Sequence, residues 1–406
     1  MIPRFRPALG PKELAAIFSA GSDDDIGAFE TAFAAQMGQQ HAVAFPYGRT
    51  GLLLLLRALG IKHATVVCPA YTCVVVQHAI VLSGNRPVFV DSGPDANMNL
   101  DLAEAAIRPD TRALIATSIF GHPVDLDRLT ALQQRHPDLI VIQDCAHSFI
   151  AEWNGNPVHR AGKAALFALN ASKMMTSIFG GMVTTDDGDL AARLVAERDK
   201  EIVAPTFAKS VARALYVMAL YPAFWPPLYG LTERLRQCGL LDRFTRYYSE
   251  DAIDMPPDYL VGMTDIEARI GLAQVARLDG FISARRAYAA FYRRHLSDLP
   301  GLSWIEAPPG SSYSHIAARV ADKREAMAAA FARGVQLGEI IEYSVPEMQA
   351  YREMSAGQGP FPVSGQLARQ TINLPVFGEY DVRLAEKVVR VMREILKDVS
   401  GAGKLG

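Results

Sequence analysis

The chain holds 406 residues, with 41 Lys and Arg against 43 Asp and Glu for a formal net charge of −2; half of its residues are hydrophobic and 21% are charged. That balance excludes a disordered chain, a globally basic nucleic-acid binder and an acidic solvating tail, and the length calls for roughly two or three domains. Four cysteines, Cys68, Cys73, Cys145 and Cys238, are too scattered for a disulfide framework or a paired zinc site and fit a reducing compartment. The opening MIPRFRPALGPKELAAIF has no apolar run ending in a small-residue cleavage site, so the expectation is a cytoplasmic enzyme with a large core.

In chain order, residues 11–20 and 24–37 carry amphipathic helical spacing, with Ser22 or Asp23 as N-cap of the second. Ala42–Phe45 reads as a short strand that stops at Tyr47-Gly48-Arg49-Thr50-Gly51. Leu52–Leu59 then continues as a helix apolar nearly all round, hence buried. Strands at Thr65–Cys68, Pro87–Asp91, Arg112–Thr117 and Leu139–Gln143 alternate with helices at Thr72–Leu82, Leu100–Ile107 and Asp125–Gln134. The alternation marks βαβ units, and the unbroken apolar runs TVVCP, PVFVD, ALIATS and LIVIQD predict a mostly parallel sheet with helices on both faces. Functional side chains in such α/β sheets gather at the carboxyl ends of strands, which singles out Gly48, Pro69–Tyr71, Ser118–His122 and Asp144–His147. Beyond residue 186 the pattern changes. A helix at Leu190–Arg198 leads into an aromatic and proline-rich stretch over 206–232, and long helices at Asp265–Leu278 and Phe281–Leu296 meet near Gly280. A strand at Tyr313–Val320 and helices at Lys323–Arg333 and Val382–Leu396 complete the chain. The expected division is a large unit over 1–258 and a smaller C-terminal α+β unit over 259–406.

Three features of the first half bear on chemistry. Gly48 and Gly51 flank Arg49-Thr50 between a strand and a helix, where glycine lets a phosphate approach the N–H groups of a helix N-terminus; a plain strand-to-helix turn reads the same way. Asp144 ends LIVIQD with His147 three residues on, and a strand-end acid also serves as an ordinary helix cap. Lys173 lies in Leu169-Asn170-Ala171-Ser172-Lys173-Met174-Met175, before Phe179-Gly180-Gly181-Met182. Apolar and small neighbours there desolvate its charge and suit it to a Schiff base, while a surface lysine snorkelling off an apolar element has the same look. Taken in order, a phosphate cup, an acid for a ring nitrogen and a lysine for an aldehyde meet the needs of pyridoxal 5'-phosphate.

The stretches CPAYTCVVVQHAIVLSGNRPVFVDSGPDANMNLD, LIATSIFGHPVDLDRL, LIVIQDCAHSF and NASKMMTSIFGGMVTTDD resemble the DegT/StrS-type sugar aminotransferases, a branch of the fold-type I pyridoxal-phosphate enzymes. Weaker similarity runs through MTDIEARIGLAQVARLDGFISARR, EYSVP and NLPVF, so the resemblance covers roughly 30–200 and 259–396. It implies a mixed, mostly parallel sheet in the large unit, a homodimer, and the cofactor pyridoxal 5'-phosphate with no metal. By the resemblance, Lys173 forms the Schiff base and moves the proton, and Asp144 pairs with the ring nitrogen. His147 stands where the family has a glutamine near the phenolic oxygen. Gly48, Arg49 and Thr50 fall at the phosphate cup, and Cys73 takes the place of the aromatic that commonly stacks on the ring. Ala168 replaces a phosphate-binding hydroxyl, with Asn170 or Ser172 as substitutes and Arg49 a source of lost charge. Leu260 replaces an asparagine that reaches the neighbouring subunit's phosphate, Gly262 the family's arginine two residues on, Phe179 an acid, and Met348 a histidine. The implied activity is ping-pong transfer of an amino group, from an amino acid such as glutamate, to a keto-sugar nucleotide. A lipid-linked or secondary-metabolite ketone and a catalytically inert regulatory relative stand as alternatives.

VARALYVMALYPAFWPPLYGL, 211–231, lies inside an aromatic and basic insertion over 206–246. The run is close to the roughly 20 residues a spanning helix needs, but Pro222, Pro226 and Pro227 break it. Tyr216, Tyr221, Trp225 and Tyr229 suit a wet interface, and Lys209, Arg213, Arg234, Arg236, Arg243 and Arg246 flank it. A dimer interface or lid and a peripheral membrane contact both follow from that composition.

Overall fold

A computed structural model describes residues 1–22, 24–224, 226–238 and 251–402; Asp23, Trp225, Arg243 and Arg246, named above, lie outside them. The large unit is built on β1 (His41–Phe45), β2 (Thr65–Pro69), β3 (Arg86–Val90), β4 (Thr111–Thr117) and β5 (Ile140–Asp144), with a small hairpin of β6 (Glu152–Trp153) and β7 (Asn156–Pro157), then β8 (Ala164–Ala168) and β9 (Gly181–Thr185). Seven of these form one sheet in the order β1-β9-β8-β5-β4-β2-β3. β2, β3, β4, β5 and β8 run parallel, and β9 lies antiparallel between β8 and β1. The expected mixed, mostly parallel sheet is therefore the one observed.

Alternate residues of each strand feed two cores. Val67, Val88, Val90 and Val141 join Phe33, Phe149 and Phe167 on one face; Val66, Phe89 and Ile142 join Leu52–Leu56 on the other. All five leucines are buried, as a helix apolar on every side must be. That helix starts at Gly48, not Leu52, so the Gly-Arg-Thr-Gly run is its first turn. The cap of the Asp25–Met37 helix is Asp24, whose carboxylate accepts the Gly27 N–H at 2.7 Å; Ser22 instead bonds Asp25.

The smaller unit holds an antiparallel sheet of β10 (Leu302–Trp304), β11 (Ile316–Val320) and β12 (Thr371–Leu374) under helices Lys323–Ala332 and Val382–Ala402. β8, β9, β10, β12 and a helix at Pro362–Gln370 were absent from the sequence reading. β11 begins three residues later than Tyr313, with consequences below. Two packings cut across the division at 258/259. The Asp265–Val275 helix lies on Asp25–Met37, so close that a side chain at Gly271 would overlap the Phe29 ring. The following helix, Leu278–Leu296, gives Phe281 and Ile282 to the large core and Tyr288 and Tyr292 to the small one, while Ile2 at the other end of the chain joins the small core. The insertion forms helices Phe207–Ala223 and Pro226–Gln237, punctuated by its prolines. No helix among the described residues is long and apolar enough to cross a membrane.

Candidate active site

β4 and β5 are parallel neighbours, and their register puts Thr117 beside Asp144 at the carboxyl ends. The Thr117 hydroxyl donates to Asp144 Oδ2 at 3.0 Å and the Ala146 N–H to Oδ1 at 3.1 Å. Burial pushes the Asp144 pKa up, and the Ala146 N–H, the charge of Lys173 and the Thr117 hydroxyl oppose it.

Lys173 sits on the loop between β8 and β9. Asn170 shapes that loop: its Oδ1 accepts the Ser172 hydroxyl at 2.6 Å and the Ser172 N–H at 3.0 Å, and its carbonyl accepts the Lys173 N–H at 2.9 Å. Leu169 ties the base, donating to the Gly180 carbonyl and accepting from Ser177 N–H and Thr176 Oγ1. The lysine is thereby turned inward, Nζ 2.9 Å from His147 Nε2. Burial lowers the Lys173 pKa, with Cys73 and Asp144 pulling the other way. Burial also holds His147 well below the usual imidazole range, and Lys173 and His315 add to it. An ammonium donor requires Nε2 as acceptor, which leaves the imidazole proton on Nδ1, 3.4 Å from Ser314 Oγ.

Ser314 and His315 come from the smaller unit, on an irregular segment where a strand was expected. The His315 ring lies 5.3 Å from His147, and Ser314 Oγ is 3.1 Å from His315 Nδ1. The Phe120-Gly121 turn after β4 grips this segment: Ser312 N–H donates to the Gly121 carbonyl and His315 N–H to that of Phe120. A Cβ at Gly121 (φ +83°) would come within 2.8 Å of both the Tyr313 and Ser314 nitrogens. Phe120 and Tyr313 themselves hold positive φ, +58° and +53°, so strain is concentrated where the two units meet. Arg285, buried behind, donates from Nη1 to the Ser314 carbonyl at 2.7 Å.

Near this cluster lies the N-terminus of the Gly48–Ala58 helix, which no side chain caps. Its first N–H groups are available to an anion. Gly48 lies against β8, where a Cβ would meet that of Ala168 at 3.1 Å, and a Cβ at Gly181 would strike the Gly48 backbone. Arg49 has Cys73, Tyr47, Asp254 and Tyr343 within electrostatic reach, and burial lowers its pKa. The Thr50 hydroxyl donates to the Tyr259 carbonyl at 3.0 Å.

Of the residues singled out in the sequence, Lys173, Asp144 and His147 thus share one buried neighbourhood, with half-buried Cys73 within electrostatic reach of Lys173 and Gly48 and Arg49 beside it. Asn170 and Ser172 bond each other, and Thr50 is engaged by the 251–262 segment. Thr117, Ser314, His315 and Arg285 were not foreseen. Thr117 was within reach of a register argument, whereas the Ser-Ser-Tyr-Ser-His run at 311–315 gives no local sign of its destination. One reading is corrected: Lys209 and Arg213 do not flank an outward surface. Lys209 Nζ donates to the Val261 and Gly262 carbonyls, and Arg213 Nη2 to Asp258 Oδ2 at 2.8 Å. Asp258 in turn accepts the Tyr47 hydroxyl at 2.6 Å, and the Arg213 guanidinium lies 4.2 Å over the Phe179 ring.

The sequence model of the DegT/DnrJ/EryC1/StrS aminotransferase family matches residues 17–393. The chain is 31% identical to the GDP-perosamine synthase of Caulobacter vibrioides over 276 residues, which are 67% of this chain and 62% of that protein, so the match spans less than two thirds of the relative. DesV of S. venezuelae, solved in complex with a ketimine intermediate, aligns with a TM-score of 0.77 at 25% identity over 97% of this chain and 98% of its own. The E. coli GDP-4-keto-6-deoxy-D-mannose-3-dehydratase, solved with bound hydrated PLP, shares the fold with a TM-score of 0.76 at 18% identity, over 98% and 99% of the two chains.

Proposed function

The chain belongs to the DegT/DnrJ/EryC1/StrS aminotransferase family, and from that premise we propose that it is a pyridoxal-phosphate-dependent aminotransferase carrying an amino group from an amino acid, glutamate or one like it, to a keto-sugar nucleotide or related ketone. The observation that carries the reading is the inward Lys173, 2.9 Å from a neutral His147 with buried Asp144 close by. The acceptor class rests on the name of the GDP-perosamine synthase relative. The homodimer rests on the family resemblance, and four free cysteines support a reducing, cytoplasmic setting.

The residues present fit the cofactor. Asp144 is a carboxylate fixed by two donors, as a ring-nitrogen partner must be, and Lys173 is a buried amine of lowered pKa, as an aldehyde partner must be. The uncapped helix end beside Arg49 offers N–H groups and a positive charge to a phosphate, on a floor where Gly48 and Gly181 leave no room for side chains. When bound, pyridoxal phosphate supplies an electron sink. The chain's own part is to orient and to hold protons. Burial lowers the Lys173 pKa and so favours its unprotonated amine, and the neutral His147 Nε2 holds that amine in place. Ser314 and the Ala146 N–H fix the imidazole and the carboxylate respectively.

Purified chain mixed with pyridoxal phosphate should develop the visible absorption of lysine-bound cofactor. L-glutamate should bleach it, a keto-sugar nucleotide should restore it, and Lys173→Ala should abolish it. Absorption that no amino acid bleaches would mark an inert relative and overturn the proposal.

A further inference from the structure

Ser314 Oγ stands between two imidazoles, 3.4 Å from Nδ1 of His147 and 3.1 Å from Nδ1 of His315. A hydroxyl carries one proton and two lone pairs, so it can donate to one of these nitrogens while accepting from the other. Two bare nitrogens would leave one of them facing oxygen without a proton. Two protonated nitrogens would leave the hydroxyl proton with no acceptor among the described residues. Opposite tautomers satisfy all three groups. Both rings must then be neutral, since an imidazolium donates from both nitrogens. Burial holds each well below the usual imidazole range. Lys173 and His315 add to it at His147, and Lys173, Arg285 and Arg4 at His315. The hydroxyl is placed by backbone pinned on both sides: Arg285 Nη1 donates to the Ser314 carbonyl at 2.7 Å, and the His315 N–H to the Phe120 carbonyl at 3.3 Å.

We propose that Ser314 and His315 are positioning residues for Lys173 that act through His147: they hold its imidazole in the Nδ1–H form, with Nε2 kept as the acceptor that orients the lysine amine. Lys173 sets the direction. Its Nζ, 2.9 Å from Nε2, is the donor, which leaves the His147 proton on Nδ1. Ser314 accepts that proton's bond and donates its own to His315, whose remaining proton falls on Nε2. His315 is half-exposed, and its Nε2 is not among the buried polar atoms that lack a partner, so water can reach it. A glutamine at 147 would have no tautomer to set, so this pair matters only with the histidine that the chain carries. The inference deepens the proposed activity and rests on it for the kinetic arm of its test.

The first arm is nitrogen-15 NMR of the full chain with labelled histidine, before pyridoxal phosphate is added. His147 should show its proton on Nδ1 and His315 on Nε2, each assigned by its loss in His147→Leu or His315→Asn, and Ser314→Ala should remove the Nδ1–H signature of His147. Two rings in the same tautomer, or a His147 signature untouched by Ser314→Ala, overturn the proposal. The second arm follows the visible absorption of lysine-bound cofactor after pyridoxal phosphate is mixed in. Ser314→Ala and His315→Leu should slow its appearance about fivefold, the worth of one hydrogen bond. His315→Asn, whose Oδ1 can accept in place of Nδ1, should restore most of the rate. In a His147→Leu background, where neither bond can form, Ser314→Ala and His315→Leu should change nothing. Equal slowing in both backgrounds would show that the segment merely shapes the site, and overturns the proposal. Should His315→Leu fail to fold, Ser314→Ala gives both readouts. The spectra need no cofactor, so a failure of the assigned activity leaves them to be read on their own.

Discussion

Gly181 shows how much one missing side chain decides. It opens β9, paired with Phe45 on one side and Ala168 on the other, and its Cα faces the backbone of Tyr47 and Gly48 so closely that any Cβ would displace the helix end. Gly181→Ala should therefore cost about 1–3 kcal/mol in urea unfolding and weaken pyridoxal-phosphate binding in an absorbance titration. Overpacking that merely lowered stability would leave the cofactor titration unchanged. At this scale the sequence was legible where a residue's role lay in its own motif. Lys173 sits among small and apolar neighbours, and Asp144 ends an apolar strand. Thr117 and Ser314 were not legible in that way, because they reach Asp144 and His147 from 27 and 167 residues away. Phe179, a departure from the family's acid, acquires a reason only in three dimensions: its ring carries the Arg213 guanidinium.

Among the elements, the insertion helix departs furthest from its sequence reading. Flanking cations and aromatics pointed outward on paper, yet Arg213 is held by Asp258 and Glu267, and Glu267 is itself a buried capping-box residue of the Asp265–Val275 helix. The Arg213 Nε–Glu267 Oε1 approach of 3.2 Å is off-line for a hydrogen bond, so that contact is one of charge. Burial pushes the Glu267 carboxyl up, and Arg213 above all holds it down. Removing the guanidinium leaves a buried acid short of its partner, which costs on the order of 3–5 kcal/mol. Arg213→Ala should lower the melting temperature and open 203–224 to limited proteolysis, and adding Glu267→Gln should recover part of the loss. If both variants melt with the wild type, the cluster is not what anchors the helix.

For the whole molecule, acid is the expected weakness. Burial drives His78 and His122 down to about 4 and holds His147 and His315 well below the imidazole range. Each takes up a proton in the unfolded chain near pH 6.5 before it does so in the folded one. Their contribution to stability should thus be constant above that pH and fall below it, by up to about 1.4 kcal/mol per unit for each fully shifted group. Denaturation midpoints at pH 7.5, 6.5 and 5.5 check the sign, and His122→Asn should flatten the acid limb. A midpoint that rose on acidification would contradict this assignment of neutral imidazoles. By itself the sequence determined the parallel core of the sheet, the buried leucine helix and the lysine–acid pair, because unbroken apolar runs, helical spacing and short motifs act through neighbours in the chain. Only the tertiary structure decided that the Asp265–Val275 helix packs on Asp25–Met37, which histidine meets His147 and which way the insertion's cations face. Those depend on close approaches between distant segments, at Gly121, Gly271 and Asp258, that no local pattern encodes.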